Sequence, residues 1–376
     1  MLREVQPGGV ILFGRNVETP AQVALLCAQI RDALGRSVLI GVDQEGGLVD
    51  RFRTVCVPSP SAKAVRNAGR SDLARQFGSL TAHMLRLLGL NINFAPVLDL
   101  GGDNEENGLR ARTFGHSPNE VSRLAGAYLD GLQANGILGC GKHFPGLGGS
   151  TVDSHRRLPV VHHTWQEIFE RDLVPFLDLM FHRRGERLHS VMVSHAAFPE
   201  VSEFLQEWFR RTQELPSLET LKSLHQLPAT ISGNVVMRLL RQALKFDGLV
   251  ITDDMEMGAV VETLSVPEAS LRAIEAGSDM ILICEREANF IHARDLIAGE
   301  TEAGRLPRRN LEDAARRIDR ALAATGEGEQ FDQKDFEQLC KDIGELKRVL
   351  EAAESEEEYA PSFGTEEGGE RRSSNF

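Results

Sequence analysis

Long apolar runs are missing from this chain. No stretch of its 376 residues approaches the ~18 apolar residues of a membrane span, and Arg3 and Glu4 interrupt the amino terminus before an apolar leader could form. Membrane insertion and secretion are therefore not expected, and the cytoplasm is the expected location. Cysteine is sparse: the five, at 27, 56, 140, 284 and 340, are odd in number and include no Cys-x-x-Cys, a pattern that fits a reducing compartment and no zinc knuckle. Positive charge is in deficit, with Lys+Arg 42 against Asp+Glu 55 and a net charge of −13. Eight glutamates against Arg371 and Arg372 place much of that excess from Glu351 onward. No Lys/Arg stripe interleaved with aromatics is present to neutralise a phosphate backbone, so nucleic acid is not an expected partner.

What the chain does have is alternation. Short apolar runs at Val10–Phe13, Val38–Asp43, Asn91–Asp99, Leu138–Phe144, Val191–Ala196, Leu249–Asp253 and Met280–Cys284 read as strands. Between them lie helical patterns at 20–34, 71–88, 118–134, 165–181, 234–244 and 266–276, with apolar residues three and four apart. Strands separated by helices make a parallel sheet, because each crossover carries a helix over the sheet face. An open doubly wound sheet and a closed (β/α)8 barrel are the two candidates. No glycine-rich dinucleotide fingerprint opens a helix, and no cofactor is expected. The polar residues favour the barrel: Asp43, Asp99, Lys142, His143, His195, Asp253 and Asp254 fall at the carboxyl ends of different strands, which a barrel gathers at one mouth.

Two segments break the rhythm. Pro145 to Pro159 is a long loop rich in glycine, read as an active-site flap. Residues 200–230 read as an insertion, structural or substrate-covering. Expected boundaries are a barrel over 1–326, a helical extension over 327–354 carrying Phe336, Leu339, Ile343, Leu346 and Leu350 at helical spacing, and a disordered acidic tail over 355–376.

The apolar strand ending in Asp253-Asp254 can present a carboxylate nucleophile at the mouth, Asp253 being the better placed; both acids could instead cap the following helix. In the flap, Asp153-Ser-His155 has the outline of an acid/base dyad, since a histidine gives and takes protons near neutrality and an aspartate fixes its tautomer. The same two residues, with Asp43, His143, His195 and Asp253, could also hold a hydrolytic metal, although no His-x-His ends a strand and no His-Glu-x-x-His occurs. No metal is expected.

Taken in order, Gly8-Gly-Val-Ile-Leu-Phe-Gly-Arg-Asn16, Asp43-Gln-Glu-Gly-Gly47, Asn93-Phe-Ala-Pro-Val-Leu-Asp99, Arg112-Thr-Phe-Gly115, Lys142-His-Phe-Pro-Gly146, Asp153-Ser-His155 and Ile251-Thr-Asp-Asp254 resemble glycoside hydrolase family 3, in its bacterial β-N-acetylhexosaminidase branch. The resemblance implies a TIM-type barrel and a retaining exo-β-N-acetylglucosaminidase that works through a covalent glycosyl-enzyme, acting on muropeptide fragments in peptidoglycan recycling. It implies Asp253 as nucleophile, His155 as acid/base with Asp153 as its partner, and Asp43, Arg51, Arg112, Lys142 and His143 as sugar-binding residues, with His195 in support. Its partner is a small carbohydrate. Within the family, β-glucosidase, β-xylosidase and phosphorylase activities are the alternatives, and an inactive sugar-binding barrel is another. Leu147 and Gly149 replace a His and a frequent Asp of the family's flap, and Leu48 stands where an Arg often follows the Gly-Gly pair. The chain starts inside the helix that follows the family's first strand, so a barrel without that strand is expected.

Overall fold

Each apolar run becomes a strand. In a computed structural model, β1 (Gly9–Leu12), β2 (Leu39–Val42), β3 (Ile92–Asn93), β4 (Leu138–Phe144), β5 (Ser190–Val193), β6 (Leu249–Asp254) and β7 (Met280–Leu282) stand side by side in chain order, every neighbouring pair parallel. The structure describes residues 2–102, 107–150, 152, 154, 157–182, 185, 187–201, 227–326 and 328–358. Residues 202–226 of the expected insertion, tail residues 359–376, and Asp153 and His155 of the flap lie outside the described residues.

Side chains from every strand, Ile11, Leu39, Ile92, Leu138, Met192, Ile251 and Met280 among them, pack into one apolar cluster. A sheet whose inward side chains all meet has curled round on itself, and the fold is a TIM-type barrel of seven strands. Among the described residues no hydrogen-bonded pairing joins β7 to β1. Side chains close that side: a methyl group on Gly9 would lie 2.8 Å from Met280 Cε. Ile318, Ala321 and Leu322 of the helix Arg308–Ala323 join the interior cluster. Arg317 binds both Asp247 and Asp279, at 3.0 Å each, and Arg320 binds Asp247 at 2.8 Å. Those aspartates immediately precede β6 and β7, so this helix covers the amino-terminal end of the barrel.

The crossover helices start where their sequences say. Thr19, Ser117 and Ser265 each cap a helix through the side-chain oxygen, with a proline in the first turn. The stretches 165–181 and 234–244 carry wide turns that periodicity did not suggest, at Ile168–Asp172, Asp178–His182 and Asn234–Ala243.

The helix Gln333–Glu358 buries Phe336, Leu339, Ile343, Leu346 and Leu350 in the same core as Val65, Leu73 and Phe77. A disulfide joins Cys340 of this helix to Cys56 in the segment after β2, across a sequence separation of 284. The expectation of a wholly reduced set of cysteines is corrected here. Cys27, Cys140 and Cys284 are free thiols.

Candidate active site

Strand alternation decides what enters the mouth. In β6, Leu249 and Ile251 face the interior cluster while Val250 packs in the outer core. Asp253 continues the inward row, and Asp254 falls on the other side. Both are partly accessible. Asp253 Oδ1 accepts from the Asp254 N–H at 2.8 Å, and Asp254 Oδ1 accepts from the Glu256 N–H at 3.1 Å.

Their protonation diverges. Burial by itself would raise Asp253, but the charges of His195, His143 and Lys142 and the Asp254 N–H outweigh it and hold Asp253 below the ordinary aspartate value. Asp254 is pushed up to about 6, chiefly by burial, with Glu256 and Asp253 adding repulsion. The inward acid therefore keeps its charge to a lower pH than its neighbour.

Across the mouth, Asp43, Lys142 and Arg112 meet in a buried network whose hub is Glu45. Lys142 Nζ lies 2.7 Å from Asp43 Oδ1 and 2.6 Å from Glu45 Oε1. Arg112 grips Glu45 with two parallel hydrogen bonds of 2.8 and 2.9 Å. Burial opposes the charge on Glu45, yet Arg112 and Lys142 overcome it and keep Glu45 far below the ordinary glutamate range. Lys142 is raised in turn, because Asp43 and Glu45 outweigh its desolvation. Arg51 sits at the rim, 3.7 Å from Asp43 and partly exposed.

His143 is held by a buried aspartate. Asp99 Oδ2 lies 2.7 Å from His143 Nδ1, and the same carboxylate accepts from the backbone N–H groups of His143 and of Leu147, the latter at 2.6 Å. His195 Nε2 is 2.8 Å from the carbonyl oxygen of Asp254 and must donate to it, while Nδ1 meets Thr230 Oγ1 at 2.7 Å. The imidazole is thereby fixed beside the inward aspartate.

The mouth therefore unites Asp43, Arg51, Arg112, Lys142, His143 and Asp253, with His195 behind them. Glu45 was absent from the sequence-based set of site residues, and Asp99 was expected at the mouth without a role. Glu45 was legible in one respect: in extended backbone it shares the side of Asp43, two residues earlier. Among the described residues no three His, Cys, Asp or Glu side chains converge as a metal-binding group, and no helix is long and apolar enough to cross a membrane. Chemically, the mouth offers one ionised carboxylate facing a set of charged donors and acceptors suited to hydroxyl groups.

Comparison with known proteins points the same way. The model of the glycosyl hydrolase family 3 N terminal domain matches residues 1–321. A beta-hexosaminidase of Pseudomonas aeruginosa is 35% identical over 291 residues, covering 77% of this chain and 78% of that protein. The structure of a glycoside hydrolase family 3 beta-N-acetylglucosaminidase from Paenibacillus sp. str. FPU-7 superposes with a TM-score of 0.77 at 31% identity, covering 92% of this chain. This chain spans 64% of that longer one. NagZ from Neisseria gonorrhoeae, solved in complex with N-trifluoroacetyl-D-glucosamine, superposes with a TM-score of 0.70 at 26% identity, covering 93% of this chain and 91% of its own.

Proposed function

This chain belongs to glycosyl hydrolase family 3, and from that premise we propose that it is a retaining exo-β-N-acetylglucosaminidase removing terminal, non-reducing N-acetylglucosamine. The observation that carries the reading is the ionised, inward-facing Asp253 opposite the Asp43, Lys142 and Arg112 network. Relatives named beta-hexosaminidase and beta-N-acetylglucosaminidase support it.

In this reading a sugar hydroxyl donates to Asp43 and accepts from Lys142, Arg112, Arg51 or His143. The bound ring presents its anomeric carbon to Asp253. Asp253 attacks that carbon while His155, oriented by Asp153, protonates the departing glycosidic oxygen. A glycosyl ester on Asp253 results. His155, now neutral, removes a proton from water, the water displaces Asp253, and the β configuration is restored. An imidazole acid/base adds no second negative charge beside the nucleophile, so Asp253 is ionised when it attacks and is released again as a carboxylate.

Muropeptide fragments are the substrates this reading assigns, a small carbohydrate the partner, and the cytoplasm the place of action. The test compares an aryl β-N-acetylglucosaminide with the matching aryl β-glucoside, with and without phosphate. A preference for the N-acetyl sugar on the order of 10²-fold, independent of phosphate, is expected. Preference for the glucoside, or release that requires phosphate, would transfer the chain to another activity of the family.

A further inference from the structure

The flap that carries Asp153 and His155 leaves β4 at Phe144 and returns at Pro159 to the end of β5. Its two arms are fixed separately. The first arm is fixed where the Leu147 N–H donates to Asp99 at 2.6 Å, and Leu147 itself is buried. The return arm is fixed by the Val161 N–H, which donates to the Ala197 carbonyl at 3.0 Å, and by the Ala197 N–H, which donates to the Pro159 carbonyl at 2.9 Å.

One contact ties the arms to each other. His163 lies immediately before Thr164, whose side chain caps the helical run that follows. Its Nδ1 is 2.7 Å from Asp172 Oδ2, and Asp172 is buried in that same run. The imidazole so held lies close against the first arm: a methyl group on Gly149 would sit 2.4 Å from His163 Cε1 and 2.6 Å from Nε2. Gly146, in the left-handed region at φ 129°, rests on the other member of the pair, where a methyl group would be 2.7 Å from Asp172 Cβ. Both glycines are thus required by the pair beneath them.

We propose that His163 and Asp172 form a positioning pair for the acid/base loop, the imidazole bracing Gly149 and so fixing the arm from which the loop departs at Ser150. The inference rests on the assignment of His155 as acid/base. His163 does not touch the reacting atoms in this account; it acts through the placement of His155.

Leaving groups provide the test. Protonation matters for an unsubstituted phenyl β-N-acetylglucosaminide and hardly matters for the 2,4-dinitrophenyl analogue, whose phenolate departs unaided. His163→Ala is expected to lower kcat on the phenyl substrate by about 10-fold, part of the range a general acid supplies, and to leave the dinitrophenyl substrate within about 2-fold. In a His155→Ala background, His163→Ala should produce no further loss, because the two act through one step. Gly149→Ala, which keeps the pair but forces the ring aside, should reproduce the leaving-group dependence in a protein whose pair chemistry is unaltered. Equal loss on both substrates, or losses that add fully in the double variant, would overturn the inference. If His155→Ala shows the dependence and neither His163→Ala nor Gly149→Ala does, this inference alone fails. If His155→Ala lacks the dependence, the acid/base assignment fails and takes this inference with it.

Discussion

Replacing Glu45 by Gln probes the hub of the binding network. The substitution preserves shape and removes one charge. Wild-type Glu45 accepts two hydrogen bonds from Arg112 and lies 2.6 Å from Lys142 Nζ. An amide offers one acceptor oxygen, and its NH2 must then face a cation that is already fully supplied with donors. Breaking a buried ion pair by neutralising one partner costs about 3–5 kcal/mol. At roughly 2 °C per kcal/mol for a chain of this size, the melting temperature should fall by about 6–10 °C. Losing the placement of Lys142 or Arg112 against substrate removes a charge-assisted hydrogen bond, about 1.5–3 kcal/mol, so kcat/KM should drop by about 10- to 150-fold. The pH dependence has a definite sign. Because Glu45 is held below its ordinary value of about 4.3, its contribution is complete above that pH and is lost as the pH falls further, through the folded value. Wild type and Glu45→Gln should therefore differ most at neutral pH and converge in strong acid. A melting temperature within about 1 °C of wild type at pH 7, with kcat/KM unchanged, would refute the idea that Glu45 organises the cations.

Further expectations concern separate parts of the molecule. His155→Ala should lower kcat on poor leaving groups by on the order of 10²-fold or more while sparing activated ones, and equal loss on both would count against its role. Reducing the Cys56–Cys340 bond, or making Cys340→Ser, should lower stability by roughly 2–4 kcal/mol, since the bond closes a long loop in the unfolded chain; unchanged melting under reductant would show that the bond contributes nothing. EDTA should leave activity intact, and inhibition reversed by zinc would revive the metal reading of the same residues.

The strands were legible because a strand buried on both faces must be apolar, and a polar residue at its carboxyl end stops the run. Their lengths were less so. The third run was expected over Asn91–Asp99, yet β3 is Ile92–Asn93. Pro96 has no N–H for a ladder, and beyond Asn93 the run continues through single hydrogen bonds, Phe94 N–H to Val42 and Cys140 N–H to Ala95, and the isolated bridge of Val97 to Lys142. The run at Val191–Ala196 ends its pairing at Val193, where Ser194 turns its hydroxyl to the Ala196 N–H. The run at Met280–Cys284 ends at Leu282 because Glu256 takes the Cys284 N–H. Single site residues could be read from their positions at strand ends, but the bonds between them could not. Glu45 reaches Arg112 across 67 residues and Lys142 from a different strand, and His163 meets Asp172 through a wide helical turn. Such contacts exist only once the barrel has closed around them. The same holds for Cys56 and Cys340, whose separation along the chain gave no hint that the last helix folds back over the helices after β2.

The central claim is a covalent bond between Asp253 and the sugar. It is tested most directly with a fluorinated, activated β-N-acetylglucosaminide that forms the glycosyl-enzyme quickly and releases it slowly, followed by peptide mass spectrometry of the quenched protein. One N-acetylhexosaminyl adduct is expected, at the carboxylate of Asp253 in the peptide that carries it, and absent from Asp253→Ala. A label on Asp254 or any other residue, or turnover of the reagent with no adduct at any time, would contradict it.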